Sequence, residues 1–126
     1  MSQLLNGQVE TSLNLGILEL KEDALTSLTS IRSSVKTRKE DLCARVTMLV
    51  EMLGGEAEVE GDYPAWEYRT DSALRPQVEK VYEELFHKKP VFSTIHAGLE
   101  CGLLSEKIPD LDCVSFGPDN FDIHTP

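Results

Sequence analysis

The chain has 126 residues, 40% of them apolar, and a formal net charge of -10. That length suits one ordinary domain or two small pieces of domains, and the apolar share is that of a folded protein rather than a disordered tail. The acidic balance argues against a nucleic-acid binder, which needs clustered Lys and Arg, and no apolar run approaches the roughly 20 residues of a membrane span.

Met1 to Glu10 lacks the charged start and apolar stretch of a signal peptide. The cysteines, Cys43, Cys101 and Cys113, are odd in number and show no CxxC spacing. A reducing cytoplasm fits them better than a disulfide framework or a cysteine zinc site.

Val9, Thr11, Leu13, Leu15 and Ile17 alternate with other residues, the period-two mark of a half-buried strand. The alternation slips at Ile17-Leu18 beside Gly16, which predicts a bulge. Lys21-Glu22-Asp23 reads as a polar turn. A second strand is expected over Leu25 to Val35, with Thr29, Ile31, Ser33 and Val35 on one face and Arg32 on the other. Together the two strands predict a hairpin. Thr37 and Glu40 have capping-box spacing at a helix start. Leu42, Val46, Leu49 and Leu53 would form the buried stripe of that helix, with Cys43 a buried thiol beside it and Gly54-Gly55 its stop. Alternation over Glu56 to Glu60 predicts a third strand, so residues 9–60 read as β-β-α-β. That is a ferredoxin-like unit without its first strand and helix.

Gly61 to Thr70 reads as a crossing to a second body. Asp71 or Ser72 would cap a helix with Leu74, Val78, Val81 and Leu85 buried. Pro76 falls in its first turn, and Lys88-Lys89-Pro90 ends it. A strand over Val91 to Ile95, a tight turn and short helix over Gly98 to Leu104, and a strand over Cys113 to Phe116 complete an α-β-α-β pattern. The fold class expected is therefore α/β, with an α+β first part. On this reading no final helix follows the last strand to cover the sheet.

Four features bear on chemistry. His124 follows the last predicted strand, where α/β proteins place ligands; by itself it is a zinc-ligating imidazole or plain loop surface. His96 to Gly102 joins a strand to a helix, and Gly98 there either brings backbone close to a ligand or makes a simple turn. Glu100 is equally a favourable charge at a helix start. Arg32 either grips a carboxylate through two parallel hydrogen bonds or is solvated. Asp110, Asp112, Asp119 and Asp122 read as a solvated acidic loop, with metal ligation the alternative.

The segments GQVETSLNLGILEL (from Gly7), SIRSSV (from Ser30), GDYPAW (from Gly61), HAGLECG (from His96), Val114 to Pro118 and Ile123 to Pro126 together resemble the C-terminal region of the aminoacyl-histidine (Xaa-His) dipeptidases. These are co-catalytic zinc metallopeptidases, grouped with carboxypeptidase G and aminoacylase. The resemblance runs from about Gly7 to the end. It implies that residues 1–61 are the last part of a lid or dimerisation domain, and 62–126 the returning part of a catalytic α/β domain. It implies that His124 is a metal ligand of a two-zinc centre, and that Arg32 and Gly98 reach the substrate. Glu100 takes a pocket role. The general base and the other ligands come from a part of the family that has no counterpart here, so no catalytic residue is assigned to this chain. The expectation is a cytoplasmic dipeptidase fragment, inert by itself and not retaining zinc, whose substrate in the complete enzyme is a dipeptide. A homodimerising, non-enzymatic module is the alternative.

Overall fold

The fold is given by a computed structural model that describes residues 2, 7–97, 99–118 and 120–122. Strands β1 (Thr11–Leu20) and β2 (Leu25–Ser33) form an antiparallel hairpin, joined through a turn in which the Lys21 N–H donates to the Ala24 carbonyl at 2.8 Å. Helices α1 (Lys36–Met52), α2 (Leu74–Phe86) and α3 (Glu100–Lys107) follow.

The bulge falls where the alternation slips, between Leu15 and Ile17. Thr11, Leu13 and Leu15 stand opposite Ser33, Ile31 and Thr29, while past Gly16 it is Leu18 and Leu20 that stand opposite Ser27 and Leu25. Opposite residues of an antiparallel pair share a face. The leucines of β1 therefore stay on one face, and Arg32, Ser30, Leu28, Ser12, Asn14 and Ile17 on the other. Thr11 and Ser33 pair their hydroxyls at 2.9 Å across the strands. α1 leans on β2.

α1 begins one residue before Thr37, and the expected capping box does not form. The first free N–H groups find other acceptors. Val35 donates to Ser33 Oγ at 3.0 Å, and Lys36 donates to Glu67 Oε1 at 3.0 Å, a carboxylate 31 residues away. The end of the helix is as expected. Gly54 (φ 81°) donates to the Glu51 carbonyl at 2.9 Å and Gly55 to that of Val50 at 3.0 Å, the paired bonds of a Schellman stop that needs a left-handed residue at Gly54.

Three expected strands are not formed. Residues 56–60, 91–95 and 113–116 run without ladder partners. A strand exists only by hydrogen bonding to a neighbour, and among the described residues no neighbouring strand reaches them. The observed order is β-β-α-α-α, a mixed α/β arrangement with one two-stranded sheet. Val35, expected as the end of β2, lies outside it at the start of α1.

The expected buried stripes are only half covered. Leu42 and Val46 of α1 and Leu74 and Val78 of α2 are partly shielded, whereas Leu49, Leu53, Val81 and Leu85 face water. Cys43, expected buried, is half-buried. Among the described residues the side chains most withdrawn from solvent are polar (Ser33, Ser34 and Lys39), and no apolar side chain is fully buried.

Polar ties hold the second half together. Ser72 Oγ accepts the Arg75 N–H at 3.0 Å, so Ser72 caps α2 as its position suggested. Asp112 accepts the Leu74 N–H at 2.8 Å and the Ser72 hydroxyl at 2.8 Å. Among the acidic residues near the C-terminus, Asp112 is thus a helix cap rather than a metal ligand or bare surface. Its carboxyl sits below the usual carboxylate range, first because of the Leu74 N–H and then because of Ser72. Arg69 bonds the Asp71 carboxylate at 3.0 Å and the Asp110 carbonyl at 2.7 Å, and Gln8 Oε1 accepts the Thr94 N–H at 2.8 Å.

Candidate functional site

The outward face of β2 carries the site. Arg32 and Ser30 are two residues apart on one strand, so their side chains leave the sheet together. They border an open cleft of about 470 Å³ whose other walls are Tyr63, Ala97, Leu99, Glu100 and Leu103. Arg32 is exposed and has no carboxylate partner among the described residues. A guanidinium without a partner, opposite apolar walls, suits a ligand that brings a carboxylate.

Each wall is fixed from elsewhere in the chain. Lys39 of α1 is buried. Its ammonium donates to the Asp62 carboxylate and to the Tyr63 carbonyl, and lies 5.3 Å from the centre of the Tyr63 ring. α1 thereby clamps the segment that supplies Tyr63. Glu100 stands in the first turn of α3, where a negative charge is favoured, and Lys107 in the last turn, where a positive one is.

Gly102 fixes where α3 sits. A Cβ at that position would lie 2.9 Å from the Pro64 carbonyl oxygen and 3.6 Å from Trp66 Cβ. Only glycine lets the helix approach the Tyr63–Trp66 segment this closely. Two of the recognised motifs, GDYPAW and HAGLECG, therefore meet in space across Gly102. Beside them, burial raises the Cys101 thiol above its ordinary range, with neighbouring Cys113 adding to the shift.

Of the four residues expected at the site, the structure brings Arg32 and Glu100 to one cleft. Gly98 lies outside the described residues, although its neighbours Ala97 and Leu99 both line the cleft. His124 lies outside them as well. Among the described residues no three His, Cys, Asp or Glu side chains converge as a metal ion requires, so those residues do not by themselves make a zinc centre. Tyr63, Ser30 and Leu103 were not singled out from sequence. Ser30 was open to inference from its alternation with Arg32. Tyr63 lies within the GDYPAW motif but was given no site role there, and nothing local signals Leu103; the Gly102 contact brings the two segments together.

The chain that carries this hairpin, these helices and this cleft is similar to dipeptidases in sequence and in fold. Over 125 residues, 99% of its length, the chain is 35% identical to the cytosol non-specific dipeptidase of Escherichia coli (strain K12), of which it covers 26%. It matches the crystal structure of aminoacylhistidine dipeptidase from Vibrio alginolyticus with a TM-score of 0.85 and 39% identity, over 94% of this chain and 24% of that one. The resemblance read from the motifs therefore holds in both sequence and fold, and the chain spans about a quarter of the length of these relatives. No protein-family model matches it. Among the described residues no helix is long and apolar enough to cross a membrane.

Proposed function

We propose that the chain is the C-terminal quarter of a cytoplasmic metallodipeptidase of the aminoacyl-histidine type, and that it supplies the substrate-gripping part of the active site. The observation that carries the reading is the convergence of Arg32 and Glu100 on one cleft, 68 positions apart, in a chain similar to two dipeptidases. Residues 9–60 are then the remnant of a ferredoxin-like lid within lid residues 1–61, and 62–126 return to the catalytic domain.

In this reading Arg32 holds the carboxylate of a dipeptide by two parallel hydrogen bonds. Leu99 and Leu103 give that ion pair an apolar flank, and Tyr63 is a further wall of the cleft. The Gly98 backbone lines the pocket, and Glu100 sets its charge on the α3 side. His124 provides one imidazole of a two-zinc centre. Such a centre, when bound, polarises a scissile carbonyl and acidifies a water. One imidazole does not make that centre, since a catalytic zinc usually takes three protein ligands. The remaining ligands and the general base belong to the part of the dipeptidases that this chain does not span, so the chain alone is inert. Nucleic acid and membrane have no place in this reading.

The test is a hydrolysis assay on a Xaa-His dipeptide with added zinc. The chain alone gives no turnover. Combined with the complementary part of the E. coli dipeptidase it gives turnover, and Arg32→Ala in that combination raises KM by roughly 10- to 100-fold, the loss expected for a charged hydrogen-bond pair. Turnover by the chain alone refutes the inert-fragment claim, and an unchanged KM removes the role given to Arg32.

A further inference from the structure

Helix α3 carries different residues on its different sides. Glu100 and Leu103, with Leu99 just before them, line the cleft. Cys101 and Ser105 are one turn apart and share another side, which points away from Leu103. Cys113 meets that side. Its Sγ lies 4.0 Å from Ser105 Oγ, and it acts on the Cys101 thiol both by charge and by hydrogen bond. Two thiols from separate segments are thereby neighbours. Both are half-buried, so a small solute reaches them, and both are free. The segment leading to Cys113 is itself anchored, because Arg69 holds the Asp110 carbonyl and Asp112 caps α2. The reading of the cleft gives neither thiol any work.

We propose that Cys101 and Cys113 are a site of oxidative modification, a thiol pair that hydrogen peroxide converts to a disulfide fastening α3 to the anchored segment behind it. The proposal does not depend on the peptidase reading. Burial holds the proton on Cys101, so Cys113 reacts first. Its sulfur attacks one peroxide oxygen, the S–O bond forms as the O–O bond breaks, and the thiol proton leaves with the departing oxygen as water. The Cys101 sulfur then attacks the sulfenic acid. The S–S bond forms, the S–O bond breaks, and the Cys101 proton leaves with the hydroxyl as a second water. The two thiols give up two electrons and the peroxide takes both. The link closes a loop of about a dozen residues, which opposes local opening by up to about 100-fold. Its effect reaches the cleft, because the helix it holds from one side presents Glu100 and Leu103 on another. Through Asp112 the same link ties α3 to the start of α2.

Dilute hydrogen peroxide given to the reduced full chain tests this. The expected product is a monomer lighter by about 2 Da, the two thiol hydrogens. Trypsin, cutting after Lys107 between the two cysteines, then releases them as one linked pair of peptides that dithiothreitol separates. The link forms roughly tenfold or more faster in the folded chain than in urea, because the fold holds the thiols together. Amide exchange in α3 slows by about tenfold or more once it has formed. Cys43→Ser leaves the link intact, and Cys113→Ser abolishes it with the circular dichroism spectrum unchanged. A link through Cys43, a disulfide between chains, oxidation that stops at sulfinic acid on separate cysteines, or pairing no faster folded than in urea overturns the proposal. An oxidised chain whose α3 exchanges as before overturns the fastening of that helix.

Discussion

Residues 9–60 and residues 62–122 solve the same problem differently. The first half forms regular structure from short-range signals: alternation, a tight turn, a helical stripe and a glycine stop. Most of its backbone hydrogen bonds lie within the hairpin and α1, while its leucines stand in water. The second half forms its helices but none of its expected strands. It is secured by contacts across long sequence distances, Asp112 to the start of α2, Arg69 to Asp110 and Gly102 against Pro64. Antiparallel hairpins and helices are locally self-sufficient in hydrogen bonds, whereas parallel strands depend on neighbours distant in sequence. The halves differ in how much of their backbone bonding is local.

The sharpest way to break that comparison is at Gly102. Gly102→Val places carbon against the Pro64 carbonyl, and overpacking of this kind costs roughly 1–3 kcal/mol. Trp66, the single tryptophan, sits at the contact. Its emission is expected to shift to the red and its urea midpoint to fall, while the exchange of hairpin amides stays as it was. A hairpin that loosens equally would show that the halves are not independent.

Lys39→Met comes next. It removes the tie from α1 to Asp62 and Tyr63. Because Asp62 is largely solvated, the expected loss is about 1 kcal/mol. The effect should appear as faster exchange in residues 61–66 and a raised KM in the reconstituted enzyme, with kcat little changed.

The smallest effect is a pH dependence of α2. The Asp112 carboxyl is held below its usual range by the Leu74 N–H and the Ser72 hydroxyl. Its stabilising contribution is therefore complete above the unfolded value of about 3.9 and is lost as pH falls through the lower, folded value. Amide exchange at Leu74 and Arg75 should accelerate in that acidic window, and Asp112→Asn should flatten the profile. An unchanged profile would remove Asp112 as the cap.

Much of this architecture was legible in the sequence. The hairpin, the slip at Gly16, the stop at Gly54-Gly55, Ser72 as a cap and the short helix after Leu99 all follow from residues within a few positions of one another. Arg32 was placed on the correct face by alternation alone. What stayed hidden depends on distant partners. The capping box at Thr37 and Glu40 is absent because α1 begins before it, at Lys36, whose N–H is met by Glu67, a carboxylate 31 residues away. Asp112 looked like one acid among several until the start of α2 was seen beside it. Residues 56–60 have the pattern of a strand and lack its partner. In the cleft, Arg32 and Glu100 were open to inference from the dipeptidase motifs, whereas Tyr63, though it lies in one of those motifs, gains its place at the cleft only because Gly102 allows two segments to touch.

The irregularity at Gly16 has a consequence for how this strand tolerates changes of length. One residue of slack sits there, opposite no counterpart of its own. Deleting it would only straighten the ribbon. A deletion at Leu13 would turn every residue on one side of the cut upside down relative to those on the other, sending leucines toward the guanidinium side. Position 16 is thus the strand's expansion joint, where a residue can be gained or lost without exchanging the leucine side for the one that carries Arg32.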